Sequence, residues 1–145
     1  MIRAAAAALA FALATSASAA EYASVGTAGA ILYDGPSPSA TRLFVAPKGM
    51  PIELISVIRL WVKVRDVFGD VMWIERGDIS QERTVMTTAV TFVRQHANEA
   101  SAIVFQADLG VMLQLVDPAP APGWARVRHR DGTAGFVRSS DIWGL

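Results

Sequence analysis

With 13 Lys and Arg against 13 Asp and Glu, this chain of 145 residues has no net charge and lacks the basic footprint of a nucleic-acid binder. It has no cysteine, which excludes disulfide support, a thiol nucleophile and a thiol-linked lipid. At 52 % hydrophobic residues it has the means to hold together by its core alone.

The chain opens with Met1-Ile2-Arg3, an apolar run from Ala4 to Ala14 and a small-residue exit ending Ala17-Ser18-Ala19. That order is the pattern of a secretory leader, residues 1–19, with cleavage near Ala19. The apolar run is far short of the ~20 residues that span a bilayer as a helix. The expectation is an exported protein, periplasmic or extracellular, with no transmembrane span in its mature part.

After the leader the chain repeats itself. Laying Gly49 on Gly110 brings Leu32 onto Val93, Leu43 onto Val104, Phe44 onto Phe105 and Leu54 onto Leu115. Farther on the offset grows by two, and WVKVRD lies on WARVRH, with Trp73 on Phe136 and Asp78 on Asp141. The two extra residues fall in DPAPAPG, Asp117 to Gly123, which reads as a surface loop. Two units of ~60 residues follow, 20–81 and 82–145.

Within the first unit, Ile52 to Ile58, Trp61 to Arg65 and Val71 to Glu75 are short runs rich in β-branched and aromatic residues. Glycine turns separate them at Gly49 and Gly69, and the second unit has Arg130-Asp131-Gly132. No stretch after Ala20 sustains a helical period, so the fold class is all-β. Alternation places Trp61, Lys63 and Arg65 on one row, and Trp124, Arg126, Arg128 and Arg130 on another. Charged side chains are rarely buried unpaired, so both tryptophans should begin solvent-side rows, with Leu60 beside Trp61 turned inward. His129 falls on the inward-leaning row as a structural histidine.

Gly-Pro after a first strand, then PKGMPIELI, WVKVRD, a glycine turn and WIERGDI, resembles the bacterial SH3-like (SH3b) repeat. The Ile142-Trp143-Gly144 tail is similar to that of tandem repeats in small exported bacterial proteins. The resemblance implies two tandem five-stranded SH3-like barrels, each closed by a short 3₁₀ turn at Gly77 to Ile79 or Ser140 to Ile142. The family often carries Asn-x-Arg before its Gly-Pro. The first unit has Gly35-Pro36 with Tyr33 at the arginine's place, whereas the second has Arg94 but His96-Ala97 in place of Gly-Pro. The string ILYDG is also similar to the Ala-Leu-Tyr-Asp-Tyr of eukaryotic SH3 domains, without its second tyrosine.

No catalytic set stands out. His96 and His129 occupy non-equivalent positions with no ligand spacing, so neither a metal site nor a cofactor is expected. Asp78 and Asp141 recur at the closing turns, where bonds to nearby backbone N–H groups are the simplest expectation. The candidate ligand-binding residues are Tyr33, Trp61, Trp73, Arg94, Trp124 and Phe136, at the position of the SH3-like groove. Aromatics with one open face suit peptide or sugar recognition; filling the seam between the repeats is the alternative. The expected function is a non-enzymatic exported module that binds peptidoglycan (peptide or glycan) or an envelope protein's extended segment. A structural or assembly role through dimerisation or scaffold docking is the alternative.

Overall fold

The period-two runs of each repeat do form strands, because alternate residues can be buried on one face while their neighbours meet water. In the computed structural model, which describes residues 18–145, the first repeat comprises β1 (Glu21–Val25), β2 (Ala30–Tyr33), β3 (Arg42–Ala46), β4 (Pro51–Ile58), β5 (Trp61–Arg65), β6 (Val71–Glu75) and β7 (Ile79–Ser80). The second comprises β8 (Thr84–Thr87), β9 (Thr91–Arg94), β10 (Ile103–Ala107), β11 (Met112–Ala121), β12 (Trp124–Arg128), β13 (Ala134–Arg138) and β14 (Ile142–Trp143). The expected leader lies outside the described residues, apart from its last two. Among the described residues no helix is long and apolar enough to cross a membrane.

All pairings are antiparallel, in the order β3-β2-β6-β5-β4-β1-β7 and, for the second sheet, β10-β9-β13-β12-β11-β8-β14. Each sheet therefore counts seven strands where five were expected. β2 and β3, and equally β9 and β10, form a hairpin whose first strand pairs with β6 or β13. The 3₁₀ turns span Arg76–Asp78 and Ser139–Asp141, one residue earlier than expected.

Inward rows make two separate cores. Leu32, Ile52, Val64 and Ile74 are fully buried in the first, and Val85, Val93, Leu113 and Val137 in the second. The turns that carry the hairpins use glycine in the left-handed region, Gly69 at φ 91° and Gly132 at φ 93°, where a Cβ would clash with the backbone.

The proline-rich segment is not a loop. Pro118 and Pro120 lie within β11, which continues to Ala121 and pairs with Trp124 across the hairpin end. The register slips between Leu115 and Asp117 and again before Ala121, and such bulges accommodate residues that cannot donate a ladder hydrogen bond. The two extra residues thus lengthen a hairpin. Leu60, expected to point inward, sits in the β4–β5 turn at 73 % exposure.

The repeats meet through residues outside both cores. Ser24 Oγ donates to the Glu82 carbonyl at 2.6 Å, and Thr84 Oγ1 to the Gly49 carbonyl at 2.7 Å. Tyr22 stacks edge-on against Trp143, ring centroids 5.2 Å apart, with the Arg83 guanidinium 5.6 Å from the Tyr22 ring centre. Burial there pushes the Tyr22 hydroxyl's pKa upward, and Glu53 adds to the shift. These aromatics at the seam, Tyr22 and Trp143, are not the candidate ligand-binding ones.

Candidate functional site: equivalent faces on the two repeats

Side chains directly opposite each other in a ladder share a face. On the first repeat β5 presents Trp61, Lys63 and Arg65, and β6 answers with Glu75, Trp73 and Val71 in register. Tyr33 on β2 pairs with Trp73. Tyr33, Trp61 and Trp73 are thereby brought together on one face. The Tyr33 and Trp61 rings meet edge to face at 5.2 Å and 90°, the geometry favoured by the ring quadrupoles. The Lys63 ammonium lies 5.9 Å from the Trp73 ring centre, the outer limit of a useful cation–π contact. Glu53 accepts from Arg65 at 2.7 Å, so one of the two cations of this face is already paired.

Tyr33 is 5 % exposed. Its ring has almost no open surface and serves as a backing for Trp61. Trp61 and Trp73 are half-buried, with part of each ring facing outward.

On the second repeat the same positions carry different chemistry. Trp124 faces Arg138, and Arg126 faces Phe136 on one side and Asp117 on the other. Phe136 in turn pairs with Arg94 on β9, so Arg94, Trp124 and Phe136 are also brought together. The guanidinium of Arg138 lies 5.9 Å from the Trp124 ring centre and that of Arg126 at the same distance from Phe136. Arg94 is held from below, its Nη1 donating to the Ser101 carbonyl at 2.9 Å.

Close packing brings β9 this near to β13. A Cβ on Gly135 would lie 2.6 Å from Val93 Cγ1 and 2.7 Å from the Arg94 carbonyl oxygen. The first repeat has the buried Met72 at the equivalent place.

Glu99, which sequence reasoning passed over, completes this face. It comes from the tip of the β9–β10 hairpin, and its carboxylate accepts from Arg138 Nε while lying 4.0 Å from Arg94 Nη2. The hydrogen bond from Arg138 holds the Glu99 carboxyl below its ordinary pKa, and the same bond raises that of Arg138. Its only sequence signal was the pair of arginines themselves, which replace Tyr33 and Glu75 of the first repeat. A recess of ≈ 90 Å³ lies here, lined by Arg94, Glu99, Trp124, Arg138, Thr91 and Asp141 among others.

Asp141 departs from expectation. Its carboxylate accepts from Thr91 Oγ1 at 2.7 Å, across the fold, and neither closing turn has a side-chain cap bond. His129 is half-buried, with its ring 5.8 Å from Phe105 and Nδ1 3.3 Å from Asp131. His96 is exposed on the β9–β10 hairpin. Among the described residues no three His, Asp or Glu side chains gather where a metal ion could be held. The larger clefts lie elsewhere: ≈ 420 Å³ beside the bend of β4, and a similar volume between the repeats around Phe68, Met86 and Leu109.

No curated protein matches the chain. Among solved structures it is similar to NlpC2 from Trichomonas vaginalis, at 10 % identity and a TM-score of 0.39 over 86 % of this chain and 48 % of that one. NlpC1 from the same organism gives 11 % identity and a TM-score of 0.38 over 89 % and 47 %. The chain spans about half the length of those proteins, and neither likeness is close enough to bear on fold or activity. The bacterial SH3 domain, in contrast, matches twice in tandem, over residues 26–81 and 88–144. These are typically binding modules. Two matches covering most of the sequence, each on a sheet of the same strand order, place this chain in the bacterial SH3 domain family.

Proposed function

We propose that this protein is an exported, non-enzymatic binding module. It recognises cell-wall peptide or glycan, or an extended segment of an envelope protein, through the shallow aromatic face of its first repeat. The observation that carries the reading is the Tyr33–Trp61 pair: a half-open indole fixed by a buried ring beneath it. A ring held in one orientation loses little entropy on binding, which is what an anchor residue requires. Trp73 extends the platform and Lys63 supplies one cation at its rim. Export is supported by the leader-like residues 1–19. A non-enzymatic role is supported by the separation of the two histidines and the lack of any thiol.

Purified peptidoglycan sacculi should retain the protein on sedimentation without releasing soluble muropeptides. Release of muropeptides by pure protein, lost on substitution of His96 or His129, would overturn the reading.

A second reading, assembly by edge pairing, has its own support. The edge strand β3 exposes Leu43, Phe44 and Val45, and β10 exposes Ile103 and Val104. An apolar edge with free backbone groups is a template for another strand. Size-exclusion chromatography giving a dimer, together with no retention by sacculi, would favour it.

A further inference from the structure

The arginines of the second repeat have no role in the reading above. Residues 20–81 hold six basic and seven acidic side chains, and residues 82–145 hold six of each. Total charge therefore does not distinguish the repeats. Placement does.

On the first face Lys63 and Arg65 are set against Glu53 and Glu75. On the second, Arg94, Arg126, Arg128 and Arg138 are set against Glu99, Asp117 and Asp141. Two of the changes remove an acid next to a cation: Gln114 stands opposite Arg128 where Glu53 stands opposite Arg65, and Arg138 occupies the place of Glu75. Arg126 and Arg128 are exposed. The face has more guanidinium donors than its own carboxylates satisfy.

We propose that this face of the second repeat binds an extended acidic peptide segment, and that Glu99 occupies the Arg94–Arg138 fork as an internal competitor. The inference rests on the chain being a binding module, but it concerns the second repeat alone.

Three features favour carboxylates on an extended chain. The fork already holds a carboxylate, that of Glu99, so its geometry suits the group. Arginine is the side chain best matched to carboxylates, through parallel N–H donors. Arg126 and Arg128 stand two residues apart on one strand face, a spacing of roughly 6.5–7 Å, which is also the spacing of alternate side chains in an extended peptide. Trp124, next to Arg126 on the same strand face and opposite Arg138, and Phe136, flanked by Arg126 and Arg94, offer flat apolar contact to the same chain. Glu99 itself is exposed on a hairpin tip, so it can leave the fork without disturbing the core.

The test is binding of a fluorescent peptide of alternating Glu and Gly to the purified protein, with the Gln–Gly peptide as control. The Glu peptide should bind and the Gln peptide should not. Affinity should fall about tenfold between roughly 0.01 and 0.1 M salt, where the Debye length shrinks from about 30 to about 10 Å. Glu99→Ala should tighten binding by about three- to tenfold, by freeing the fork. Asp108→Ala alters net charge equally, away from the fork, and should leave affinity within about twofold. Arg138→Gln should weaken binding about tenfold, with an unchanged urea midpoint as the check on folding. Trp61→Ala should leave peptide binding unaltered, so retention by sacculi and acidic-peptide binding can fail separately. The proposal is overturned if Glu99→Ala binds no more tightly than Asp108→Ala, if the Gln peptide binds as well, or if polygalacturonate binds and the Glu peptide does not.

Discussion

The equivalent faces of the two repeats use one backbone to hold two chemistries. In the first, Tyr33 lies under Trp61 and a Glu53–Arg65 pair neutralises the nearest cation. In the second, Arg94 replaces the tyrosine, Arg138 replaces an acid and Glu99 is drawn into the gap. The pleat determines which positions face outward, but it does not determine what they carry. A duplicated sheet can therefore diverge on its outer row while its inner row stays aliphatic.

The largest effects should come from the shared inner row. Ile52 and Leu113 are equivalent and buried at 0 % and 1 % exposure. Truncation of either to alanine should cost about 2–5 kcal/mol, as buried large-to-small changes do. Similar losses in urea melts would confirm that the cores remain alike. A loss confined to one of them would show that the repeats differ in more than their outer faces.

Next in size is a change that should act on the second repeat only. Gly135→Ala forces a Cβ against Val93 Cγ1 and the Arg94 carbonyl, and overpacking of this kind costs about 1–3 kcal/mol. Because one of the two neighbours is backbone, β9 must move, and the Arg94–Glu99 separation should lengthen with it. Chemical-shift changes centred on Arg94 and Glu99 would report that movement; none would show that β9 has room.

Much of this was legible in sequence. The run Trp61 to Arg65 and the run Val71 to Glu75 begin and end where alternation and the glycine turn place them, because burial on one face specifies a strand strongly. The strand before Gly35-Pro36 is legible as β2, but its return strand β3 is not, since the Gly35-Pro36-Ser37-Pro38 stretch between them reads only as loop. The opposite error arose at Pro118 and Pro120, where proline implies a loop although bulged register lets a strand pass through. Alternation places Trp61, Lys63 and Arg65 on one outer row and Trp124, Arg126 and Arg128 on the other, whereas nothing in the sequence singles out Arg138. Glu99 and the Thr91–Asp141 bond were not legible either, because each depends on contacts between segments 39 and 50 residues apart. The depth of Tyr33 was equally invisible: period two places it on the outer row, yet it is 5 % exposed, with Trp61 edge-on against it.

The smallest effect is a titration. The Arg138 hydrogen bond depresses the Glu99 pKa, so the contact contributes above the ordinary carboxylate pKa and is lost as pH falls through the depressed value. The carboxyl resonance of Glu99 should titrate below the usual glutamate range. Arg138→Gln should return it to that range, whereas an unshifted midpoint in the unsubstituted protein would mean that the fork does not hold Glu99 in solution.

The most direct measurement pairs retention of Trp61→Ala by purified sacculi with its urea melt. Trp61 is half-buried, so its truncation should cost about 1–2 kcal/mol, between a surface change and a core one. A folded Trp61→Ala protein that sacculi no longer retain is the result expected for an aromatic binding face. Undiminished retention, with a fall in stability of about 3–5 kcal/mol, would make Trp61 a core residue and contradict the account.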